Sequence, residues 1–300
     1  MIDFFYELLV NEYGEEISKS IINGCLGKRT TTLRVNTEKT SVEEIKEKLT
    51  GLNISFYTVS WSKDALIIEN ADEGDIRKLG IYENGEVYLQ SLSSMIPPVV
   101  VSPMAGESIL DMAAAPGGKT TQMFNLSGGK AMITACEKNK IRADRLKYNL
   151  DKQGAKRVTV MVQDARKLDD FFSFDKILLD APCSGSGTLD MEDKDLEKTF
   201  TQELISRSVR TQKELIKKAS KILKVNGELI YSTCSILKEE NEEVVREVLS
   251  NGNMEIVPIY KDEFHGIPLL PISLDGTICV CPDKLYEGFF VAKLKKIRKH

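Results

Sequence analysis

SILDMAAAPGGKTTQM (108–123) passes from a short apolar run through three alanines, a proline and two glycines into a helix-forming stretch. A run of that length suits a buried strand. The small residues after it let the backbone of the turn approach a ligand, and a helix opening at Gly117 offers unpaired amides to an anionic group. Two later segments share the design: KILLDAPCSGSGT (176–188) and GELIYSTCS (227–235) each end an apolar run on a cysteine, Cys183 and Cys234. Both thiols therefore belong at strand ends. In open α/β sheets ligands bind outside the carboxyl ends of strands, so the glycine turn and the two thiols should converge on one crevice.

Working outward, strand-like runs alternate with helical patterns from residue 108 onward: AMITACE, NKIRADRLKYNLDKQG, VTVMVQ, KILLDA, a long helix near 201–223, GELIYSTC and a helix through 238–250. This alternation predicts an α/β domain with a mostly parallel sheet. The last part, MEIVPI to ICVCP and EGFFVAKL, lacks a long helix and predicts an antiparallel edge hairpin. Before residue 90 the texture differs. TTLRVN, ISFYTVS and ALIIEN read as strands around the helix TSVEEIKEKL, capped by Thr40 or Ser41. The stretch between, YLQSLSSMIPPVVVSPMAGE, has three prolines and little helical period, so it reads as a linker and places the boundary around 85–105. The expected units are a small α+β domain over 1–90 and a catalytic domain over 91–300.

The chain has 300 residues, 42% hydrophobic and 29% charged, with a net charge of −4. No run reaches eighteen apolar residues, and the N-terminus carries acids where a signal peptide needs bases, so a cytoplasmic protein is expected, with no membrane association. Six cysteines and two histidines, His265 and His300, form no CxxC or Cys/His ligand set, and no metal site is expected. Cys25 and Cys136 read as small buried hydrophobes, and Cys279 and Cys281 as strand residues and not a redox pair. The acid clusters 190–203 and 239–247 and the basic stretches 138–147 and 207–224 read as solvated helix faces, with a local basic groove as the alternative.

The turn does not complete a phosphate loop: Gly118, Lys119 and Thr120 match its end, but its first glycine would fall on Ala113. The dinucleotide pattern GxGxxG is also absent. Instead the next strand ends in CEKN, placing Glu137 where a carboxylate can accept both hydroxyls of a ribose, and the third ends in QDA, placing Asp164 near an adenine amino group. Acids at two successive strand tips suit a neutral nucleoside, and S-adenosylmethionine carries one.

In this order DMAAAPGGKT, DAPCSGSGT and YSTCS resemble the signature segments of the RsmB/NSUN-type RNA cytosine-5 methyltransferases. LRVNT, IYENGEVYLQSLSSM, EKNKIRADRL, the EENEEVV helix and GFFVAKLKK extend the resemblance from about residue 30 to the end. It implies a Rossmann-like class I methyltransferase domain, with a mostly parallel seven-stranded sheet and antiparallel edge hairpin, preceded by a small RNA-contacting module. It further implies that Ala113, Ala114, Ala115, Pro116, Gly117, Gly118, Lys119, Glu137, Arg142, Asp164 and Asp180 bind the cofactor, and that ribosomal or transfer RNA is the substrate. No obligate protein partner is evident.

Cytosine C5 is a poor nucleophile, and a thiolate adding at C6 supplies the electron density it needs. The resemblance gives that role to Cys234 and assigns Cys183 to proton removal or release of the thioether. Asp180 is placed to hydrogen-bond the cytosine edge and stabilise charge developing at N3. Lys119 either lowers a thiol pKa or contacts cofactor or substrate. After DAPCSGSGT, relatives often carry an arginine and a basic stretch where this chain has the acidic LDMEDKDLEKTF. The small module lacks a full aromatic RNP motif, although Phe56, Tyr57 and Trp61 lie on or near its strands. No further RNA-binding domain is expected after residue 300, so target choice should rest on these two domains or on RNA shape. The rival readings are an assembly factor that binds RNA and cofactor without turnover, and a DNA cytosine-5 methyltransferase.

Overall fold

A computed structural model describes residues 3–298; His300 lies outside the described residues. The chain opens with α1 (Asp3–Gly24) and the small sheet follows: β1 (Thr31–Val35), α2 (Val42–Gly51), β2 (Phe56–Val59), β3 (Ser62–Ile68), α3 (Glu73–Arg77), α4 (Gly80–Glu83) and β4 (Val87–Leu89). Its strand order is β2-β3-β1-β4, all antiparallel. Ser41 caps α2 in a reciprocal capping box with Glu44, which satisfies two otherwise orphaned amides. Leu33, Val35, Leu66 and Ile68 pack with Ile45 and Leu49 of the helix to form this unit's core.

The stretch expected to be a linker is instead a helix, α5 (Leu92–Val101), with Pro97 and Pro98 inside it. Proline removes a helical donor four residues on from its acceptor, which should leave the Ser94 carbonyl free. The Gln90 side-chain amide donates to that carbonyl at 3.2 Å, and the helix is buried against its neighbours. A local side-chain bond, with burial of the helix, thus replaces what the helical pattern lacks.

The large unit continues with β5 (Ser108–Asp111), α6 (Gly118–Leu126), β6 (Met132–Cys136), α7 (Lys140–Gln153), β7 (Thr159–Met161), β8 (Phe174–Asp180), α8 (Leu196–Thr199), α9 (Gln202–Ile222), β9 (Leu223–Thr233), α10 (Glu242–Ser250), β10 (Met254–Ile256), β11 (Ile278–Val280) and β12 (Phe289–Lys296). The strand order is β10-β12-β9-β8-β5-β6-β7, and β11 pairs with β12. Seven strands thus form the path, and β11 is an eighth beside it. From β7 to β9 all neighbours are parallel; β12 runs antiparallel to β9, and β10 and β11 antiparallel to β12. The order reverses between β5 and β8, which is the topological switch point where a crevice opens.

Helix α1 packs with the large unit: Phe5, Leu9, Ile21 and Ile22 join a core that includes Phe200, Ile236 and Leu237. Phe5 meets the Phe200 ring edge-on at 5.2 Å, and the Tyr13 hydroxyl donates to the Ile236 carbonyl. The acidic stretch 190–203 therefore carries a buried anchor, Leu196 and Phe200, between exposed acids. The run 239–247, expected to be a solvated face, is partly internal, with Glu240 and Glu242 buried. Four of the bases of 207–224 form ion pairs, Lys213 with Glu247, Lys218 and Lys221 with Asp170, and Lys224 with Asp175. Among the described residues no helix is long and apolar enough to cross a membrane.

Candidate active site

Strand β5 delivers Asp111 to the turn. The carboxylate is buried, accepts from Thr120 Oγ1 at 2.7 Å, and is pushed up to about 6, chiefly by burial. Gly117 has φ +108°, and a Cβ there would come 2.9 Å from Leu146 of α7, so both the backbone and the packing require glycine. Arg142 and Asn149 of α7 donate to the carbonyls of Ala115 and Pro116, at 2.8 and 2.7 Å. The turn is thus braced from behind.

The two strand-tip acids follow. Glu137 is buried, accepts from the Asn139 amide at 2.8 Å and lies 3.8 Å from Arg142. Asp164 accepts from the Arg166 amide and holds its guanidinium at 2.5 Å, which keeps the carboxyl below its ordinary range. Glu137, Asp164, Ala113 and Arg142 line one small pocket of about 40 Å³. A larger cleft of about 420 Å³ adjoins it; Ala113 lines both, and Ala114, Ala115, Pro116, Gly118, Lys119, Asp180 and Cys234 line the larger one. Buried carboxylates beside a glycine cradle fit a nucleoside with a charged amino-acid tail, since hydroxyls and amines donate to carboxylates and backbone amides receive the tail.

At the far side of the crevice, β8 ends on Asp180 and β9 on Thr233, one residue before Cys234. Asp180 is held from both sides: Ser232 Oγ donates to Oδ1 at 2.9 Å, and Lys119 Nζ lies 2.8 Å from Oδ2. Burial alone would lower Lys119, but the charges of Asp180 and Asp111 outweigh it and leave the ammonium raised. Lys119 also donates to Ser94 Oγ at 2.8 Å and sits 5.2 Å from the Phe289 ring centroid. The Cys183 and Cys234 sulfurs stand 2.8 Å apart as free thiols. Cys234 lines the cleft, and the Cys183 thiol is pushed well up, first by its hydrogen bond to Cys234 and then by burial. Cys183 therefore holds its own proton more firmly than an ordinary thiol.

Several supporting residues escaped the sequence reading. Glu240, fully buried, accepts from the Ser184 amide at 2.8 Å, from Ser184 Oγ and from Gln212 Nε2 at 3.0 Å, fixing the loop that carries Cys183. Ser186 and Ser235 hydrogen-bond at 2.8 Å and tie the two cysteine loops together. Acids in the run 239–247 look alike in sequence; the one signal for Glu240 is that its neighbour Asn241 begins an apolar-periodic helix. Of the module's aromatics, Tyr57 is exposed, Phe56 packs on the small core, and Trp61 donates to Tyr286 at 3.2 Å.

Comparison with known proteins bears on this arrangement. The family profile described as 16S rRNA methyltransferase RsmB/F matches residues 98–295. The chain belongs to the RsmB/F methyltransferase family. The profile of the RsmF/B-like ferredoxin-like domain matches residues 3–74. Similar relatives include the ribosomal RNA small subunit methyltransferase F of Shewanella oneidensis, 34% identical over 284 residues, and that of Vibrio vulnificus, 34% identical over 275 residues. These matches take in 92% and 89% of this chain but only 59% and 57% of the relatives, so the chain spans a little over half their length. Among solved structures, NSun6 from Pyrococcus horikoshii with SFG superposes with a TM-score of 0.86 at 26% identity, covering 99% of this chain and 98% of that one. A methyltransferase homolog protein from the same organism gives 0.81 at 30% identity, covering 99% and 100%. RsmB/F membership makes S-adenosylmethionine the methyl donor, in agreement with the reading of the turn and strand tips, and the Rossmann-like domain behind a small ferredoxin-like unit is the family's architecture.

Proposed function

We propose that this chain transfers a methyl group from S-adenosylmethionine to C5 of a cytosine in small-subunit ribosomal RNA, through a covalent adduct between Cys234 and C6 of the base. The observation that carries the reading is the pair of free thiols 2.8 Å apart at the crevice, with the Lys119–Asp180 pair in the same cleft as Cys234. The names of the relatives favour ribosomal over transfer RNA.

When bound, the cofactor supplies an electrophilic methyl. Glu137 and Asp164 would hold its nucleoside, and the Ala113–Gly118 turn its amino-acid end. Cys234 is the thiol that faces the cleft, so it is the one able to reach a base. Its sulfur adds to C6, and the C5=C6 electron pair becomes available at C5 to take the methyl. Water in the open cleft then takes the C5 proton, the electrons of that bond re-form the C5=C6 double bond, and the sulfur–C6 bond breaks. Cys183 lies within hydrogen-bond distance of Cys234 and keeps its own proton, which suits a group that returns a proton to the departing sulfur. Asp180, oriented by Ser232 and Lys119, is placed to accept hydrogen bonds from the amino group and a protonated N3 of the base, which keeps a proton on the ring as negative charge develops there. The base has to be unstacked to enter.

The test is transfer of labelled methyl to ribosomal RNA, transfer RNA and DNA from cells lacking this protein, with nucleoside analysis. 5-Methylcytidine in small-subunit RNA is expected. Label in another nucleoside, or in DNA alone, removes the reading. A Cys234→Ala variant should also fail to trap RNA carrying 5-fluorocytosine; retained trapping would take the nucleophile's role from Cys234.

A further inference from the structure

A second cleft of about 440 Å³ opens between the small unit and α7, away from the thiols. Arg77 and Tyr82 contribute from α3 and α4, Arg145, Tyr148 and Lys152 from α7, and among the described residues its lining contains three cations and no carboxylate. Arg77 is engaged by Glu73 at 2.8 Å outside the lining. Lys152 sits 3.6 Å from the Tyr82 ring centroid, and Arg77 donates to the Tyr82 hydroxyl at 2.8 Å. Burial first, and then the neighbouring charge of Arg77, hold Lys152 below the ordinary lysine value. An anion placed here would relieve that repulsion.

Two further observations define what the anion is attached to. Tyr148 is 64% exposed and lines the cleft, so it presents an aromatic ring to solvent there. Gln153 is 2% exposed and lines the cleft; its Nε2 donates to the Val87 carbonyl, but its Oε1 has no hydrogen-bond partner. A buried acceptor left unsatisfied is destabilising, and a ligand that donates to it recovers that loss. Cations, a free aromatic face and a buried acceptor together match a nucleotide: phosphate, base, and a hydroxyl or amino donor. Tyr88, Leu89 and Pro116 line both this cleft and the larger active-site cleft, so the two adjoin.

We propose that this cleft binds one single-stranded nucleotide flanking the target base, its phosphate between Arg145 and Lys152, its base on Tyr148 and a ribose or base donor on Gln153 Oε1. The proposal rests on the RNA reading of the active site and adds where the strand is gripped beyond it. It also gives the bases of α7 at this cleft an RNA-facing role.

The experiment measures binding of a short labelled single-stranded RNA across a range of salt concentrations, with Arg145→Glu and Tyr148→Ala variants, both at exposed positions. Arg145→Glu should weaken binding about 10-fold or more and flatten the slope of log affinity against log salt by about 0.7, the value for one phosphate contact on a single strand. Tyr148→Ala should weaken binding about 10-fold, as loss of one stacked base does, with the salt slope unchanged. Cofactor affinity and the rate at saturating RNA should stay as in the parent. Parental affinity and slope in both variants overturn the site. A parent that binds RNA through this cleft yet transfers no methyl overturns the proposed activity while leaving the site standing.

Discussion

Cys183 and Cys234 share one hydrogen bond at 2.8 Å, yet removing each should have an opposite consequence. Without Cys183, Cys234 still faces the cleft and can add to the base, but the proton held on Cys183 is no longer there to help the sulfur leave. Cys183→Ala should therefore accumulate a covalent protein–RNA adduct with unmodified substrate RNA, visible as a band that survives denaturing electrophoresis and vanishes in the Cys183→Ala, Cys234→Ala double variant. A Cys183→Ala chain that turns over without adduct would assign release to another group. The positions of both thiols were legible because an apolar run followed by small polar residues is a local signal. The partners that fix them were not. Glu240 holds Ser184 from 56 residues away, and a buried carboxylate in a run of acids differs from its solvated neighbours only in what the fold puts beside it.

Helix α1 shows the same limit at the scale of an element. Its apolar positions carry no motif, and Gly14, at φ +78°, breaks the helical period midway, so no sequence pattern assigns it to the large unit's core. Glu12, just before the kink, accepts from the Lys238 amide at 3.1 Å and is pushed up to about 7, chiefly by burial. The sign follows from proton counting. The folded chain holds this proton to higher pH than the unfolded chain, whose carboxyl titrates near 4.5, so the helix is docked most firmly below that value. Its docking then weakens as pH rises to about 7. One pKa unit corresponds to about 1.4 kcal/mol, so the loss above pH 7 is about 3 kcal/mol. Glu12→Gln, which keeps an acceptor for the amide without the charge, should raise the melting temperature at pH 8 and leave it unchanged near pH 4. Equal melting at both would place the burial cost elsewhere. Helix α5 escaped for a different reason: Gln90, just before the helix, donates to the Ser94 carbonyl that Pro98 leaves free, a compensation that the proline-rich pattern does not announce.

Over the whole molecule, the two units are joined by polar side chains as well as by apolar contact. Arg34 of β1 is fully buried, and burial lowers its pKa to about 10. It donates to Gln90 Oε1 at 3.2 Å and to Thr121 Oγ1 at 3.0 Å, so a residue of the small sheet grips the first turns of α6, the helix that opens the cofactor turn. Asn36 adds a bond from the small unit to the Gln153 carbonyl at the end of α7, at 2.8 Å. Removing a charged donor from such a site costs about 2–3 kcal/mol through the acceptors left unpaired, and the cost falls on the contact between units and not on either core. Arg34→Leu should therefore uncouple them. The single tryptophan, Trp61, is a probe of that contact, since it belongs to the small unit but packs on Phe264 and donates to Tyr286 of the large one. In the parent, the Trp61 fluorescence transition and the far-ultraviolet circular dichroism transition should coincide on heating, as for one cooperative unit. In Arg34→Leu the fluorescence transition should come first, and cofactor affinity should fall because α6 has lost its brace. Coincident transitions in the variant would mean that the remaining contacts, apolar packing and the Asn36 bond, couple the two units without Arg34, and cofactor affinity should then match the parent.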